Sequence, residues 1–327
     1  MEGEMGVKEK LIELFENNRG EYLSGEELAA RLGCTRGAVW KAVGALRQEG
    51  YRLDALPNKG YMLMDETDVL SEAGVRKYLS SPEGIELKVF KRVDSTNNII
   101  RDLANSGAAE GAAAIAGEQT AGRGRMGRSF FSPSDTGLYL SILLRPQLTA
   151  PEAVRITTAA AVAVAEAAEA VSGERAEIKW VNDVYMRGKK ICGILTEAAF
   201  SLETGGLDYA VVGIGVNAYE PEGGFPEEIR DIAGPVLKER CPDMRNRLAA
   251  EILGRFMGYY RALSQNTFLD GYRSRLMWQG ERINVINPSG SYPCTALGVD
   301  EECRLRVRLD DGSESLVNSG EISIRKV

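Results

Sequence analysis

Between residues 118 and 128 the chain reads Glu-Gln-Thr-Ala-Gly-Arg-Gly-Arg-Met-Gly-Arg, so that Gly122, Gly124 and Gly127 alternate with Arg123, Arg125 and Arg128. Glycine permits positive φ and a close approach of backbone to ligand. The guanidinium fork matches carboxylate and phosphate oxygens. Together they make a loop suited to closing over an anion and mobile when empty. The same letters satisfy G-x-G-x-x-G, but that pattern needs a helix directly after it and an acidic residue about twenty positions on. Here Phe130-Phe131-Ser132-Pro133 leads through a turn toward a strand, and dinucleotide binding is rejected.

Two more stretches carry polar groups in excess of structural need. Asp94-Ser95-Thr96-Asn97 opens an apolar helix with four consecutive capping-type residues, where one would satisfy the helix end. Lys179-Trp180-Val181-Asn182-Asp183 begins as a strand and delivers its Asn-Asp pair to a turn, a placement that turn chemistry alone also explains. Lys189-Lys190-Ile191-Cys192-Gly193 follows closely; Lys190 reads either as a functional cation or as a solvated hairpin lysine. The chain has no histidine, which excludes a Ser-His-Asp triad, a Cys-His pair and histidine-ligated metal. A carboxylate, already ionised at neutral pH, can be activated by positioning and charge neutralisation without one. Adenylation is thus favoured over hydrolysis.

The elements that must position these groups follow from periodicity. Val7–Asn17 has a helical apolar stripe, Ser24 with Glu27 forms a capping box for a second helix, and Thr35 caps a third running to Glu49. Val39, Val43 and Leu46 share the buried face of that third helix; Gly37, Lys41, Gly44 and Gln48 lie opposite, flanked by Arg36 and Trp40. With a hairpin wing around Leu56-Pro57-Asn58-Lys59, this is a winged helix-turn-helix. Basic and acidic residues nearly balance over residues 1–64, so phosphate contacts from one copy are expected to be weak and two copies are needed. Helices are expected over 69–80, 151–171 and 247–263, and strands over 85–92, 177–181 and 211–217. Five short strands over 282–286, 295–299, 304–309, 314–317 and 322–325 fit an SH3-like barrel. In isolation the first domain also fits a helical protein-interaction module.

Composition sets the class. At 327 residues, 44% hydrophobic and 27% charged, the chain has room for two or three ordinary globular domains. Five scattered cysteines form neither a disulfide framework nor a zinc site. No apolar run is long enough for a membrane span and the first residues are no signal peptide, so a cytoplasmic location is expected.

With the three stretches in this order, the chain resembles the bacterial biotin–protein ligases of the long, bifunctional kind that also repress the biotin operon. That family's loop is written GRGRxGR and its second motif KWPND. The resemblance implies an α+β chain: a winged helix-turn-helix DNA-binding domain over 1–65, a mixed α/β catalytic domain of the biotin/lipoate ligase type over 66–275, and a C-terminal SH3-like β-barrel over 276–327. It implies that biotin and ATP form biotinyl-5′-AMP and pyrophosphate with Mg2+, and that biotin then passes to a lysine of a biotin carboxyl carrier protein. Ser95, Thr96 and Asn97 would contact the biotin ring, with Gln119, Gly122, Gly124 and Gly193 lining its pocket. Arg123 and Arg125 would hold carboxylate and phosphate, and Lys190 would neutralise developing charge. Phe130, Lys179, Asn182, Asp183 and Asn217 would neighbour the nucleotide. Asp183 is left open between binding metal and orienting the acceptor lysine. Thr35, Arg36, Gly37, Lys41, Gln48, Asn58 and Lys59 would face operator DNA, with biotinyl-5′-AMP as corepressor and a homodimer forming on ligand binding. Glu321-Ile322-Ser323 would add lid contacts.

Three positions depart from the family pattern. Val181 stands for the usual Pro, Phe130 for a frequent Trp, and Met126 removes an arginine that some members have. A lipoate–protein ligase, or a ligand-sensing transcription factor whose core no longer catalyses, remains the alternative.

Overall fold

The computed structural model describes residues 6–149, 151–200, 206–287, 290–318 and 323–326. They form two compact units, one of Met1–Ser80 with Glu239–Ala250, the other of Ser81–Lys238 with Glu251–Val327.

In the first unit, α1 (Val7–Asn17), α2 (Gly25–Leu32) and α3 (Arg36–Gln48) precede a hairpin of β1 (Leu53–Leu56) and β2 (Gly60–Leu63). The caps are those the sequence implies. Ser24 Oγ accepts from Glu27 N at 3.1 Å and Thr35 Oγ1 from Ala38 N at 3.2 Å. Leu11, Phe15, Leu28, Val39, Val43, Leu46 and Leu63 close the core. Helix α4 (Glu72–Tyr78) is shorter than the expected 69–80, because Ser71 caps it by accepting from Gly74 N at 3.0 Å. Residues 239–250 belong here through ion pairs the sequence does not reveal. Asp243, nearly inaccessible, lies 2.7 Å from Lys77 and 3.1 Å from Arg19, and Arg245 lies 2.9 Å from Asp68.

The second unit contains β3 (Glu86–Phe90), α5 (Thr96–Asn105), β4 (Ala112–Ala116), β5 (Gly137–Leu144), α6 (Val154–Ser172), β6 (Glu177–Lys179), β7 (Asp183–Met186), β8 (Lys189–Phe200) and β9 (Leu207–Asn217). These strands form one sheet in the order β3-β4-β5-β9-β8-β7-β6. Only the β3–β4 pair is parallel. Helix α6 buries Ile156, Val162 and Val164 among many alanines; those small side chains let a helix lie close to its neighbours. Helix α7 (Met244–Arg261) begins in the first unit and ends in the second, and α8 (Leu269–Arg275) follows.

The chain ends in β10 (Arg282–Asn287), β11 (Gly290–Val299), β12 (Leu305–Arg308), β13 (Glu314–Val317) and β14 (Ser323–Lys326), an antiparallel sheet ordered β13-β12-β11-β10-β14. These are the five strands expected of an SH3-like domain. Trp180 fixes this sheet to the second motif, its buried indole N–H donating to Cys303 O at 3.1 Å. Glu321 and Ile322, and the side chain of Ser323, lie outside the described residues.

Candidate active site

The glycine–arginine stretch is a hairpin extending from the sheet. Phe130 N donates to Gly122 O at 2.9 Å and Gly124 N to Arg128 O at 2.7 Å. Its tip places Met126 (φ 58°) and Gly127 (φ 70°) in left-handed conformations, the pattern of a type I′ turn. Methionine at that position costs about 1 kcal/mol, and its side chain is exposed. Gly122 is required by packing: a Cβ there would come within 2.5 Å of Phe130 O and of Ser132 Oγ.

Under the hairpin is a cavity of about 140 Å3. Ser95, Thr96, Asn97, Gln119, Arg123, Gly124, Arg125, Phe130, Asn182, Asp183, Lys190 and Gly193 all line it, residues spread over nearly a hundred positions of chain. Met126 and Arg128 of the same loop line it too, as do Ser129, Ile194, Leu195, Gly213, Ile214 and Gly215, which were given no site role from sequence. Gly122, Lys179 and Asn217 lie outside its lining.

Glycines make the floor. Gly193 of β8 pairs with Gly215 of β9. A Cβ on Gly215 would come within 2.6 Å of the Phe130 ring, and one on Gly213 within 2.1 Å of Asn97 Oδ1. The bare strip therefore admits Phe130, whose ring also meets Tyr139 edge-on at 6.4 Å, and the Asn97 amide. The Gly-x-Gly alternation inside a buried strand was the available signal.

A connected set of hydrogen bonds forms one wall. Thr96 N donates to Gln119 Oε1 at 2.8 Å, and Gln119 Nε2 donates to Ser132 Oγ at 3.2 Å. Ser141 Oγ lies 2.7 Å from Thr96 Oγ1 and 2.6 Å from Asn97 Oδ1. Asn97 Nδ2 donates to Glu197 Oε2 at 2.6 Å. Ser141 and Glu197 are further residues that sequence did not single out. Ser95 precedes α5 but its side chain makes no cap bond. Asp94 takes the local donors instead, accepting from Ser95 N and the Asn98 amide, and Ser95 lines the cavity.

A second part of the lining is charged. Lys190 Nζ lies 2.7 Å from Asp183 Oδ1. Its backbone is held on both sides, Lys190 N donating to Ile232 O at 2.7 Å and Gly234 N to Lys190 O at 3.0 Å. Asn217 supports this clamp: its amide donates to Lys190 O at 3.4 Å and Gly234 O at 3.3 Å. Arg125 Nη1 donates to Asn182 Oδ1 at 2.8 Å, and Asn182 Nδ2 donates to Ile194 O at 2.9 Å. Burial lowers the Arg125 pKa from its ordinary value, with Asp183 opposing; a guanidinium remains charged throughout the physiological range. Arg123 is different: its side chain is 43% exposed, bonded to Asn98 and 3.9 Å from Glu197. Lys179 lies 5.4 Å from the centre of the Trp278 ring. Burial pulls its pKa down, as do Lys190, Arg325 and Arg128 nearby, against Asp183. Asn182 lies in the turn after β6, whereas Asp183 is the first residue of β7; the Trp180–Val181 peptide, within that turn, is cis. Among the described residues no group of three His, Cys, Asp or Glu side chains could enclose a metal. A lone carboxylate on a cavity wall suits Mg2+ that keeps its waters and substrate phosphates as its other ligands.

In the first unit, Arg36, Gly37, Lys41 and Gln48 are exposed along α3, and Asn58 (φ 64°) and Lys59 form the wing turn. Lys59 Nζ stands 5.6 Å from the Tyr22 ring centre. The Thr35 hydroxyl is engaged as the α3 cap. Arg47 bonds Leu53 O at 2.8 Å, tying α3 to the wing.

Residues 89–217 match the biotin/lipoate A/B protein ligase family, 7–62 an HTH domain and 280–325 the biotin protein ligase C-terminal domain. The bifunctional ligase/repressor BirA of Bacillus spizizenii is 33% identical over 321 residues, covering 96% of this chain and 97% of the relative. The biotin--[acetyl-CoA-carboxylase] ligase of Mycobacterium tuberculosis is 32% identical, covering 72% and 86%. The structure of biotin protein ligase from Aquifex aeolicus in complex with biotin and ATP superposes with a TM-score of 0.62 at 28% identity, covering 74% of this chain and 99% of that one. With a likeness that runs nearly end to end and one cavity that gathers all three motifs, the chain belongs to the bifunctional ligase/repressor (BirA) family of biotin protein ligases.

Proposed function

We propose that the chain activates biotin with ATP and transfers it to a protein lysine, and that it also represses transcription with the activated intermediate as corepressor. The observation that carries the catalytic half is that one cavity with a glycine floor is lined by two different groups of side chains. A neutral hydrogen-bonding wall, from Ser95 to Gln119, suits a polar uncharged ring. A wall of Arg125, Lys190, Asn182 and Asp183 suits a carboxylate meeting a triphosphate.

In the first step a biotin carboxylate oxygen attacks the α-phosphorus of ATP, and the bond from that phosphorus to the bridging oxygen breaks, releasing pyrophosphate. Both reactants are anions, so bringing them together without repulsion is the main task. Arg125 and Lys190 supply the positive charge, and Phe130 offers a ring face to adenine. Arg123, nearer the solvent, adds positive charge that steers the anions inward. In the second step a lysine amine attacks the biotinyl carbonyl and AMP leaves. We assign the acceptor to a biotin carboxyl carrier protein. Asp183 would hold Mg2+ together with substrate phosphates, and that ion would supply further neutralisation.

We assign residues 1–65 to operator recognition, 66–275 to the ligase and 276–327 to the C-terminal domain, with the family matches at 7–62, 89–217 and 280–325 in support. Dimerisation on ligand binding and a cytoplasmic location complete the proposal. No helix among the described residues is long and apolar enough to cross a membrane.

The decisive assay is biotin-dependent exchange of labelled pyrophosphate into ATP, repeated with lipoate. We expect exchange with biotin alone. Exchange only with lipoate would make the protein a lipoate ligase, and exchange with neither acid a non-catalytic sensor.

The floor supplies a separate prediction. Gly213→Ala places a Cβ against the Asn97 amide, which cannot retreat without breaking its bonds to Ser141 and Glu197. Losing a hydrogen bond or two in a buried polar network costs about 1.5–3 kcal/mol, so the KM for biotin should rise roughly ten- to a hundredfold. Steady-state exchange at varied biotin measures it. An unchanged KM would remove Asn97 from the biotin pocket.

A further inference from the structure

Helix α3 carries a face that nothing among the described residues covers. Trp40 is 68% exposed, more than any other large hydrophobic side chain described. One turn further on, a Cβ built at Gly44 meets nothing within 4 Å; one turn back, a Cβ at Gly37 meets only Thr35 Oγ1, at 3.8 Å. Neither glycine has a positive φ and neither makes room for a neighbour in its own chain. Glycine is the least favourable residue in a helix interior after proline, so Gly44 weakens α3 for no internal reason.

At about 100° per residue, the bare strip of Gly37 and Gly44 runs between Trp40 and the pair Lys41 and Gln48. Arg36 and Arg47 lie beyond Trp40. Every charged residue of α3 is basic. The surface is thus a shallow trough with an aromatic side and positive charge around it, which suits a polyanion with apolar features on its exposed edge. Duplex DNA has that character in the major groove, where the thymine methyl is the apolar group on the base edges.

We propose that Trp40 reads thymine: its indole packs on a thymine methyl in the major groove, while Gly37 and Gly44 let the α3 backbone come close. This rests on the DNA-reading assignment above and deepens it, because it names a base and a recognition mode. Packing replaces hydrogen bonding at that position, and Lys41 takes the phosphate charge.

The test uses the full chain with biotin and Mg·ATP. Duplexes are first selected from a random-sequence library by the parent protein. If the parent enriches no sequence, the DNA-reading assignment falls and this inference with it. With a selected duplex in hand, Trp40→Ala should weaken binding at least about tenfold and leave the slope of log affinity against log salt unchanged, whereas Lys41→Ala should lower that slope by about one. Replacing each thymine in turn by uracil should identify one position that weakens the parent and leaves Trp40→Ala indifferent. Gly44→Ala should raise the unfolding midpoint by about 4 °C and still weaken binding at least about tenfold, a pair of opposite signs that a merely structural glycine would not give. Parental affinity in Trp40→Ala, or no uracil-sensitive position, overturns the thymine contact. A stabilised Gly44→Ala protein that binds as the parent does overturns the close approach of α3.

Discussion

Lys190→Ala should slow biotin-dependent ATP–pyrophosphate exchange by at least tenfold, which corresponds to about 1.4 kcal/mol of transition-state stabilisation. The reason lies in how firmly the ammonium is delivered. The Lys190 backbone is bonded to Ile232 and Gly234, and its Nζ is 2.7 Å from Asp183, on the wall where Arg125 also lies. Charge held in place before the reaction needs no reorganisation during it. Truncation does more than delete a cation. It also removes the partner that orients the Asp183 carboxylate, which would hold Mg2+. Asp183→Asn should therefore be harmful on its own, and adding it to Lys190→Ala should not restore exchange. Circular dichroism on each variant checks the fold. Near-normal exchange by Lys190→Ala would remove the lysine from the mechanism, and exchange restored by the double variant would remove Asp183 as the support for Mg2+.

What could be read in advance follows the distance over which each feature is decided. The Ser24 and Thr35 caps involve partners three residues away, and the structure has both. The three motifs were also legible, because each is a contiguous run of residue types whose chemistry exceeds what a turn or cap requires. The floor was not. Gly213 and Gly215 are visible as letters, but what a side chain there would strike comes from Asn97 and Phe130, about a hundred positions earlier. The Lys190 clamp is hidden for the same reason, since Ile232 and Gly234 approach from forty residues downstream. Asn217, expected beside the nucleotide, also has its amide engaged with the carbonyls of Lys190 and Gly234, a supporting contact that no local pattern announces. Asp183 was assigned to a turn because Asn-Asp pairs favour turns. Pairing with Gly193 on β8 draws it into a strand instead, which fixes the carboxylate beside Lys190. The ion pairs that draw residues 239–250 to the first unit join Asp243 to Arg19 and Lys77, a coincidence in space that no local pattern encodes.

Arg125→Gly should turn the enzyme into one that makes biotinyl-5′-AMP and loses it. A mixed anhydride is readily hydrolysed and reacts with any amine, so it must be held until the acceptor lysine arrives. The sequence treats Arg123 and Arg125 alike; the structure does not. Arg125 bonds Asn182 at 2.8 Å within the cavity and is half-buried, whereas Arg123 lies against Asn98 and Glu197 with 43% of its side chain exposed. A guanidinium shielded from water interacts more strongly with a phosphate than one at the surface, so the retaining charge belongs to Arg125. Replacement by glycine leaves Lys190, the floor and the hydrogen-bonding wall in place. Adenylation should persist at a reduced rate while the intermediate escapes. Loss of one partly buried charge-assisted hydrogen-bonding group costs about 1.5–3 kcal/mol, an increase of roughly ten- to a hundredfold in the escape rate. Arg123→Gly should leak far less, because an exposed ion pair contributes about 1 kcal/mol or less. Parent and both variants, incubated with biotin, Mg·ATP and serum albumin, are compared by streptavidin blot at equal adenylate formed. Strong albumin labelling by Arg125→Gly and weak labelling by Arg123→Gly is the expected order. The reverse order would place the retaining charge at the mouth of the cavity, and equal labelling by all three proteins would mean that neither arginine holds the intermediate.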